Sequence, residues 1–447
     1  MMNGLQMVDQ WRNYFNNPSG GILGLFNAIM GIGSICGLPF APAISDRFGR
    51  RVAIVTGIFF MMIGVALQTA ANSFSMFVAA RFFVGFGCSI AQVSAPLLLT
   101  ELCHPQHRGV VTAIYNTTWH VGAIIATWTT YCTFQIGNDW SWRAPSLMQA
   151  LPSVIQLTAL WLVPESPRWL VSKDRPEAAL RVLARYHANG DERDPLVQFQ
   201  YSEIRETIAL EKTVATHGWA EMIATKGNRH RLFLLMTAGL FSQWSGNGLV
   251  SYYFNIVLNT IGIRDPDTQF KINGVLSIYN WVVALGMAFT VDKFGRRPLF
   301  LASTGGMLIA FTVWTVCSAQ FDITADPAAA RAVIAMIFVY STTYNFAWSG
   351  LLVAYSVEIL PFYIRAKGLM LMHLFVQIAL VFNQYVNPIG LENIGWKYYI
   401  FYCVWIGIEL VVVYLCKCTP ARYLPTRFFF FFSFSPDANV NFTCSLH

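Results

Sequence analysis

Long apolar runs alternate along this chain with short polar turns. A helix rises about 1.5 Å per residue, so about twenty apolar residues cross the hydrocarbon core of a bilayer. The runs cover 22–44, 52–71, 76–99, 110–134, 144–163, 232–258, 272–291, 299–319, 332–357, 369–389 and 396–416. They predict an all-α polytopic membrane protein with about eleven spans, five before a long polar insertion and six after it. Within the insertion, 176–183 and 202–214 carry apolar residues at helical spacing with charges between them, and neither is long enough to span. The pattern divides the chain into a bundle at 1–166, amphipathic helices at 167–229, a second bundle at 230–417 and an atypical tail at 418–447.

The turns supply orientation. Asp46-Arg47-Phe48-Gly49-Arg50-Arg51 and Asp292-Lys293-Phe294-Gly295-Arg296-Arg297 each stand between two apolar runs. Arginine cannot discard its charge, so both turns belong in water beside the membrane, and Lys/Arg-rich loops stay on the cytoplasmic side. One turn in each half marks the chain as two copies of one unit. A second element repeats with it: Glu101 precedes Arg108-Gly109 as Glu358 precedes Arg365, both where a span ends inside. Glu165, in Pro164-Glu165-Ser166-Pro167-Arg168-Trp169-Leu170, adds an acid to the first half. Carboxylates and guanidiniums so placed can form charge-assisted pairs. They predict a cytoplasmic gate of Asp46, Arg47, Arg50, Arg51, Glu101, Arg108, Glu165, Asp292, Arg296, Arg297, Glu358 and Arg365, or else plain anchors at the headgroups.

Composition narrows the class. Apolar residues make up 55% and charged residues 12%, against about 25% charged in soluble domains. The net charge of +7 suits anionic lipid at the inner face, and its cations sit at span ends, a poor arrangement for nucleic acid. The nine cysteines show no metal-ligand spacing, and no nucleophile–base constellation points to an enzyme or a cofactor. Cys36, Cys88, Cys103 and Cys403 read as small packing residues, while Cys416 and Cys418 are juxtamembrane candidates for acylation.

These motifs resemble the sugar porter family of the major facilitator superfamily. The matches are the two cationic turns, Arg81-Phe82-Phe83-Val84-Gly85-Phe86-Gly87, Glu101 with Arg108-Gly109, Pro164–Leu170, and Glu358 with Arg365. Gln243-Trp244-Ser245-Gly246-Asn247-Gly248-Leu249-Val250-Ser251-Tyr252-Tyr253 and Ala354-Tyr355-Ser356-Val357-Glu358-Ile359-Leu360-Pro361 resemble the fungal lactose permease-like branch, which includes cellodextrin carriers. The resemblance implies two pseudo-symmetric helix bundles with sugar bound between them, and proton-coupled import of a disaccharide or hexose by a monomer in the plasma membrane. Its partners would be sugar, proton and lipid, with no cofactor.

Sugar hydroxyls call for amides and hydroxyls, and sugar rings for aromatic faces. The candidates are Gln243, Asn247, Ser251, Tyr252, Tyr253, Asn280, Asn116, Gln377, Asn383 and Gln384. Gln243 and Asn280 match family sugar-contacting positions, whereas Val353 replaces the family's tryptophan and widens the pocket. Each amide has a second reading, a hydrogen bond that only joins helices. Arg81 matches the arginine that pairs with an acid on the family's first helix in proton-coupled members; His120 and Glu409 are the other ionisable residues deep in spans. The family's first helix ends in Gly-Tyr-Asp, followed by residues like Met1-Met2-Asn3-Gly4, so that helix is expected to be missing here. Cys418-Thr419-Pro420-Ala421-Arg422 stands where the family carries a Pro-Glu-Thr-Lys element. Two alternatives follow: a transport-inactive fragment or isoform, and a sugar sensor that does not translocate.

Overall fold

The computed structural model describes residues 2–214, 221–288, 296–360 and 362–415; the expected tail at 418–447 lies outside them. Every regular element among these residues is helical. The first bundle contains Gly20–Gly37 and its continuation Phe40–Phe48, then Arg50–Thr69, Phe74–Leu102, Arg108–Thr133, and the pair Trp140–Met148 and Ala150–Leu160. The second contains Lys226–Trp244, Asn247–Tyr252 and Phe254–Thr260, then Pro266–Ala288, Arg296–Thr324, Pro327–Ala347 with Leu351–Ile359, Phe362–Ile394 and Tyr398–Leu415. Helices Pro167–Ser172, Pro176–His187 and Pro195–Val214 lie between them in sequence.

Local chemistry sets many of the helix starts. Ser73, Ser166 and Thr225 each accept a hydrogen bond from the backbone N–H three residues on, satisfying a donor that the first turn leaves free. Asp326 caps Pro327–Ala347 at the Ala328 N–H, and proline occupies the first helical position, where its missing N–H costs nothing.

Among the described residues, five stretches combine span length with a continuous apolar window: Gly20–Gly37, Arg50–Thr69, Phe74–Leu102, Arg297–Thr324 and Lys367–Leu415. Other span helices are more polar. Arg108–Thr133 and Pro266–Ala288 pack on one another across the bundle interface, where Thr127 Oγ1 and Ser277 Oγ stand 3.5 Å apart. A span facing the other bundle instead of lipid can carry threonine and asparagine, which explains the weaker apolarity.

Gly20–Gly37 and Phe362–Ile394 form the second contact between bundles. A Cβ at Gly24 would stand 2.7 Å from the Tyr385 carbonyl oxygen, so only glycine lets the backbones approach this closely. Residues 2–14 precede the first apolar run yet pack into the bundles. Met2, Leu5, Met7, Val8 and Trp11 are buried, and Asn3 Nδ2 lies 3.5 Å from Asn273 Oδ1 of the other bundle.

Candidate functional site

The apolar run 232–258 predicts one helix, yet the chain breaks at Ser245–Gly246 and again at Tyr253. Gly246 adopts φ +95°, a left-handed conformation that interrupts the helical ladder. The carbonyls released by the break find other donors. Tyr344 Oη donates to the Ser242 carbonyl at 2.9 Å, Asn383 Nδ2 to Gln243 at 2.7 Å, and Tyr340 Oη to Ser245 at 2.9 Å. A broken span is tolerable in a membrane when neighbouring helices satisfy its backbone in this way.

Polar side chains gather at the break. Asn247 Nδ2 donates to Tyr344 Oη at 3.3 Å, and Ser251 Oγ donates to Asn247 Oδ1 at 2.9 Å. Asn345 Nδ2 donates to Asn280 Oδ1 at 3.2 Å. Gln243 is half-buried, and its amide reaches only Ser242 Oγ, at 3.5 Å. Behind this layer, Tyr402 Oη lies 2.8 Å from Asn383 Oδ1 and 2.5 Å from Asn387 Oδ1. Gly248 makes room for these amides: a Cβ there would stand 2.6 Å from Asn383 Nδ2.

The candidates thus separate by their contacts. Gln243, Asn247 and Ser251 share the break, with Ser251 exposed, while Asn280 joins through Asn345. Asn383 has both polar ends engaged by protein, and buried Tyr253 donates to the Gln384 carbonyl. Tyr252 is half-buried beside it. Gln377 Oε1 and Gln384 Oε1 are buried without partners among the described residues. The side chain of Asn116 lies outside the described residues. Sequence reasoning missed Tyr340, Tyr344, Asn345, Asn387 and Tyr402. Their signal was i,i+4 spacing, Tyr340 with Tyr344 and Asn383 with Asn387, which also fits core packing.

Arg81 is 7% exposed. Its Nη2 approaches Met30 Sδ at 3.8 Å, its Nε has no partner among the described residues, and Tyr252 and Tyr253 of the other bundle are its electrostatic neighbours. His120 is partly buried on Arg108–Thr133.

At the turn between Phe40–Phe48 and Arg50–Thr69, Arg50 grips Glu101 with two nitrogens, Nε at 3.2 Å and Nη2 at 3.4 Å, and reaches Asp46 at 3.3 Å. Glu165 accepts from the backbone N–H groups of Arg50 and Arg51 at 3.0 and 3.2 Å, so it caps Arg50–Thr69 with a carboxylate at the positive end of the helix. Gly49, at φ +106°, admits that carboxylate; a Cβ would lie 2.4 Å from Glu165 Oε2. Trp169 Nε1 donates to the Asp46 carbonyl at 3.1 Å, tying Pro167–Ser172 to the turn. Arg47 is exposed beside Phe48. These contacts all lie on the N-terminal side of the chain. In the second half, Arg297 Nη2 donates to the Tyr414 carbonyl at 3.3 Å. Asp292 lies outside the described residues, as do the side chains of Arg108, Arg296, Glu358 and Arg365.

Helices Pro176–His187 and Pro195–Val214 dock through His187, whose ring nitrogens meet the Leu102 carbonyl at 3.1 Å and Gln200 Oε1 at 2.6 Å. Its neighbour His104 titrates below the usual histidine range, through burial first and then through the charges of His187 and His107.

The break therefore presents amides and hydroxyls, a lining for a neutral polyhydroxylated ligand. A family profile described as "Sugar (and other) transporter" matches residues 1–424. The chain belongs to that family. It is accordingly a multi-pass membrane carrier and not an enzyme. Relatives in this family include the "High-affinity glucose transporter" of Kluyveromyces lactis, 27% identical over 89% of this chain and 75% of its own. The "MFS-type transporter criB" of Aspergillus cristatus is 31% identical over 78% of this chain and 75% of its own. In fold, the chain is similar to the partially occluded inward-open xylose transporter XylE from E. coli, at a TM-score of 0.75 and 21% identity, covering 92% of this chain and 95% of that one. A second XylE structure, titled as a proton:xylose symporter bound to 6-bromo-6-deoxy-D-glucose, superposes at 0.74 with 21% identity, covering 92% and 93%. The two-bundle major facilitator architecture is thereby shared.

Proposed function

We propose that the protein imports a neutral sugar, a hexose or a disaccharide, together with a proton across the plasma membrane by alternating access. The observation that carries this reading is the broken helix at Gly246, where Gln243, Asn247 and Ser251 meet Tyr344 beside the second bundle's Asn280–Asn345 pair. Discontinuous helices near mid-membrane are where carriers of this architecture place substrate. Weak amide–hydroxyl contacts there can be exchanged for sugar hydroxyls at small net cost. Val353, where the resemblance places a tryptophan, would leave room for a second ring and supports a disaccharide; the named glucose transporters among the relatives support a hexose. Competition against labelled glucose uptake by lactose, cellobiose and xylose separates these. Competition by the disaccharides at concentrations comparable to glucose fits the wide pocket, and none of the sugars competing would overturn the sugar reading.

Transport would rock the bundles about this site. The contacts Gly24–Tyr385 and Asn3–Asn273 lie away from the Arg50 end and would part when the outside opens. The Arg50–Glu101–Glu165 cluster joins helices of the first bundle and would keep their cytoplasmic ends in the shape against which the second bundle closes. Glu101→Gln should then raise labelling of a cytoplasmic cysteine placed at Arg47. Parent-level labelling and transport would leave the cluster as an anchor only.

A further inference from the structure

Glu409 lies within the last span, Tyr398–Leu415, and is 0% exposed. Both carboxyl oxygens lack a hydrogen-bond partner among the described residues. Trp405 Nε1, one turn earlier, is directed toward it yet falls short of hydrogen-bond geometry and is itself unpartnered. Tyr340 and Tyr344 are its electrostatic neighbours, but their hydroxyl protons are committed to the Ser245 and Ser242 carbonyls. An ionised carboxylate at this place would have no counter-ion among the described residues, an arrangement that membrane interiors do not sustain.

A cavity lies close by on the same helix, although Glu409 itself does not line it. One turn further toward the cytoplasmic end, Val412 and Val413 line a cavity of about 60 Å³ together with Thr237, Phe241, Trp348 and Arg297. That volume admits water, and Thr237 and Arg297 give water polar partners. Arg297 Nε has no partner among the described residues, so the guanidinium retains donor capacity. Of the helices around Glu409, Arg296–Thr324 brings Arg297 and Cys317, and Pro327–Ala347 brings Tyr340 and Tyr344. Leu351–Ile359 brings Tyr355, and Lys226–Trp244 brings Phe241, with His230 and Arg231 at its cytoplasmic start. Its own helix adds Tyr402 and Tyr414.

We propose that Glu409 is a proton-binding carboxyl of the second bundle, loaded and unloaded through the cytoplasmic-side cavity beside Arg297. The proton is held as Oε–H while the site is dry. It leaves to cavity water when that side opens, and the carboxylate then has Arg297 within the same wetted space. Tyr344, an electrostatic neighbour of Glu409, also holds Asn247, so a charge at Glu409 would be felt at the helix break. The inference rests on the proton-coupled sugar reading above.

Glu409→Gln, a neutral isostere, tests it. Sugar-evoked alkalinisation of a weakly buffered cell suspension should fall at least tenfold, while sugar counterflow at equal pH stays within about twofold of the parent. An E409Q protein that alkalinises the medium like the parent overturns this site alone and leaves Glu409 a structural neutral acid. A parent that moves sugar with no alkalinisation overturns the coupled reading and this site with it. Should E409Q fail to reach the membrane, Glu409→Asp decides: the proposal requires the dependence of uptake on cytosolic pH to shift, and an unchanged profile contradicts it.

Discussion

Gln243 and Asn383 carry similar amides into the same layer, yet their contacts differ. The Gln243 side chain is half-buried with one long contact, whereas Asn383 is buried, holds the Gln243 carbonyl and meets Tyr402. Gln243→Ala should therefore raise the KM for sugar about tenfold, the loss of roughly 1–1.5 kcal/mol of hydrogen bonding, with protein amount unchanged. Asn383→Ala orphans a buried carbonyl, which costs about 1–3 kcal/mol, and should lower thermal stability in detergent while the surviving carrier keeps its KM. Transport kinetics and melting curves on both variants check this, and the reverse pattern would exchange their roles. The contrast also shows what a sequence conveys at this scale. Gln243, Asn247 and Asn280 stand out because amides are rare in apolar runs. Tyr344 does not, since a tyrosine on a helix reads as core packing and its partner Asn247 is 97 residues away.

At the scale of elements, the apolar pattern gives the spans and misses the break. Residues 232–258 read as one apolar run; Gly246 takes the left-handed turn, and donors from Tyr340, Tyr344 and Asn383 on other helices satisfy the carbonyls that the break frees. Gly246→Ala places a Cβ 2.5 Å from Phe311 Cε2 and forces a left-handed alanine, about 1–2 kcal/mol before the clash. The variant should melt several degrees lower and bind sugar weakly. A parent-like melting temperature and affinity would mean that the break is not needed. The cationic turn behaved differently: Asp46 to Arg51 was legible as a turn because its charges and glycine are contiguous. That Glu165 would cap the following helix was not legible, because the contact to Arg50 crosses 115 residues.

For the whole molecule, the duplicated turns and the spacing of apolar runs were enough to indicate two bundles. Which spans meet across the interface depends on glycine and small-polar contacts such as Gly24–Tyr385 and Thr127–Ser277, whose partners no periodicity identifies. The central claim is that these bundles rock about one sugar site at the broken helix. A channel, a sensor or an inactive fragment would not exchange sugar for sugar. The direct measurement is counterflow in proteoliposomes containing the purified protein. With unlabelled glucose or a disaccharide inside and a trace of labelled sugar outside, the account predicts a transient overshoot of label above its equilibrium level. The overshoot should be reduced by Gln243→Ala. A monotonic rise to equilibrium, or no protein-dependent entry of any sugar tested, would contradict it.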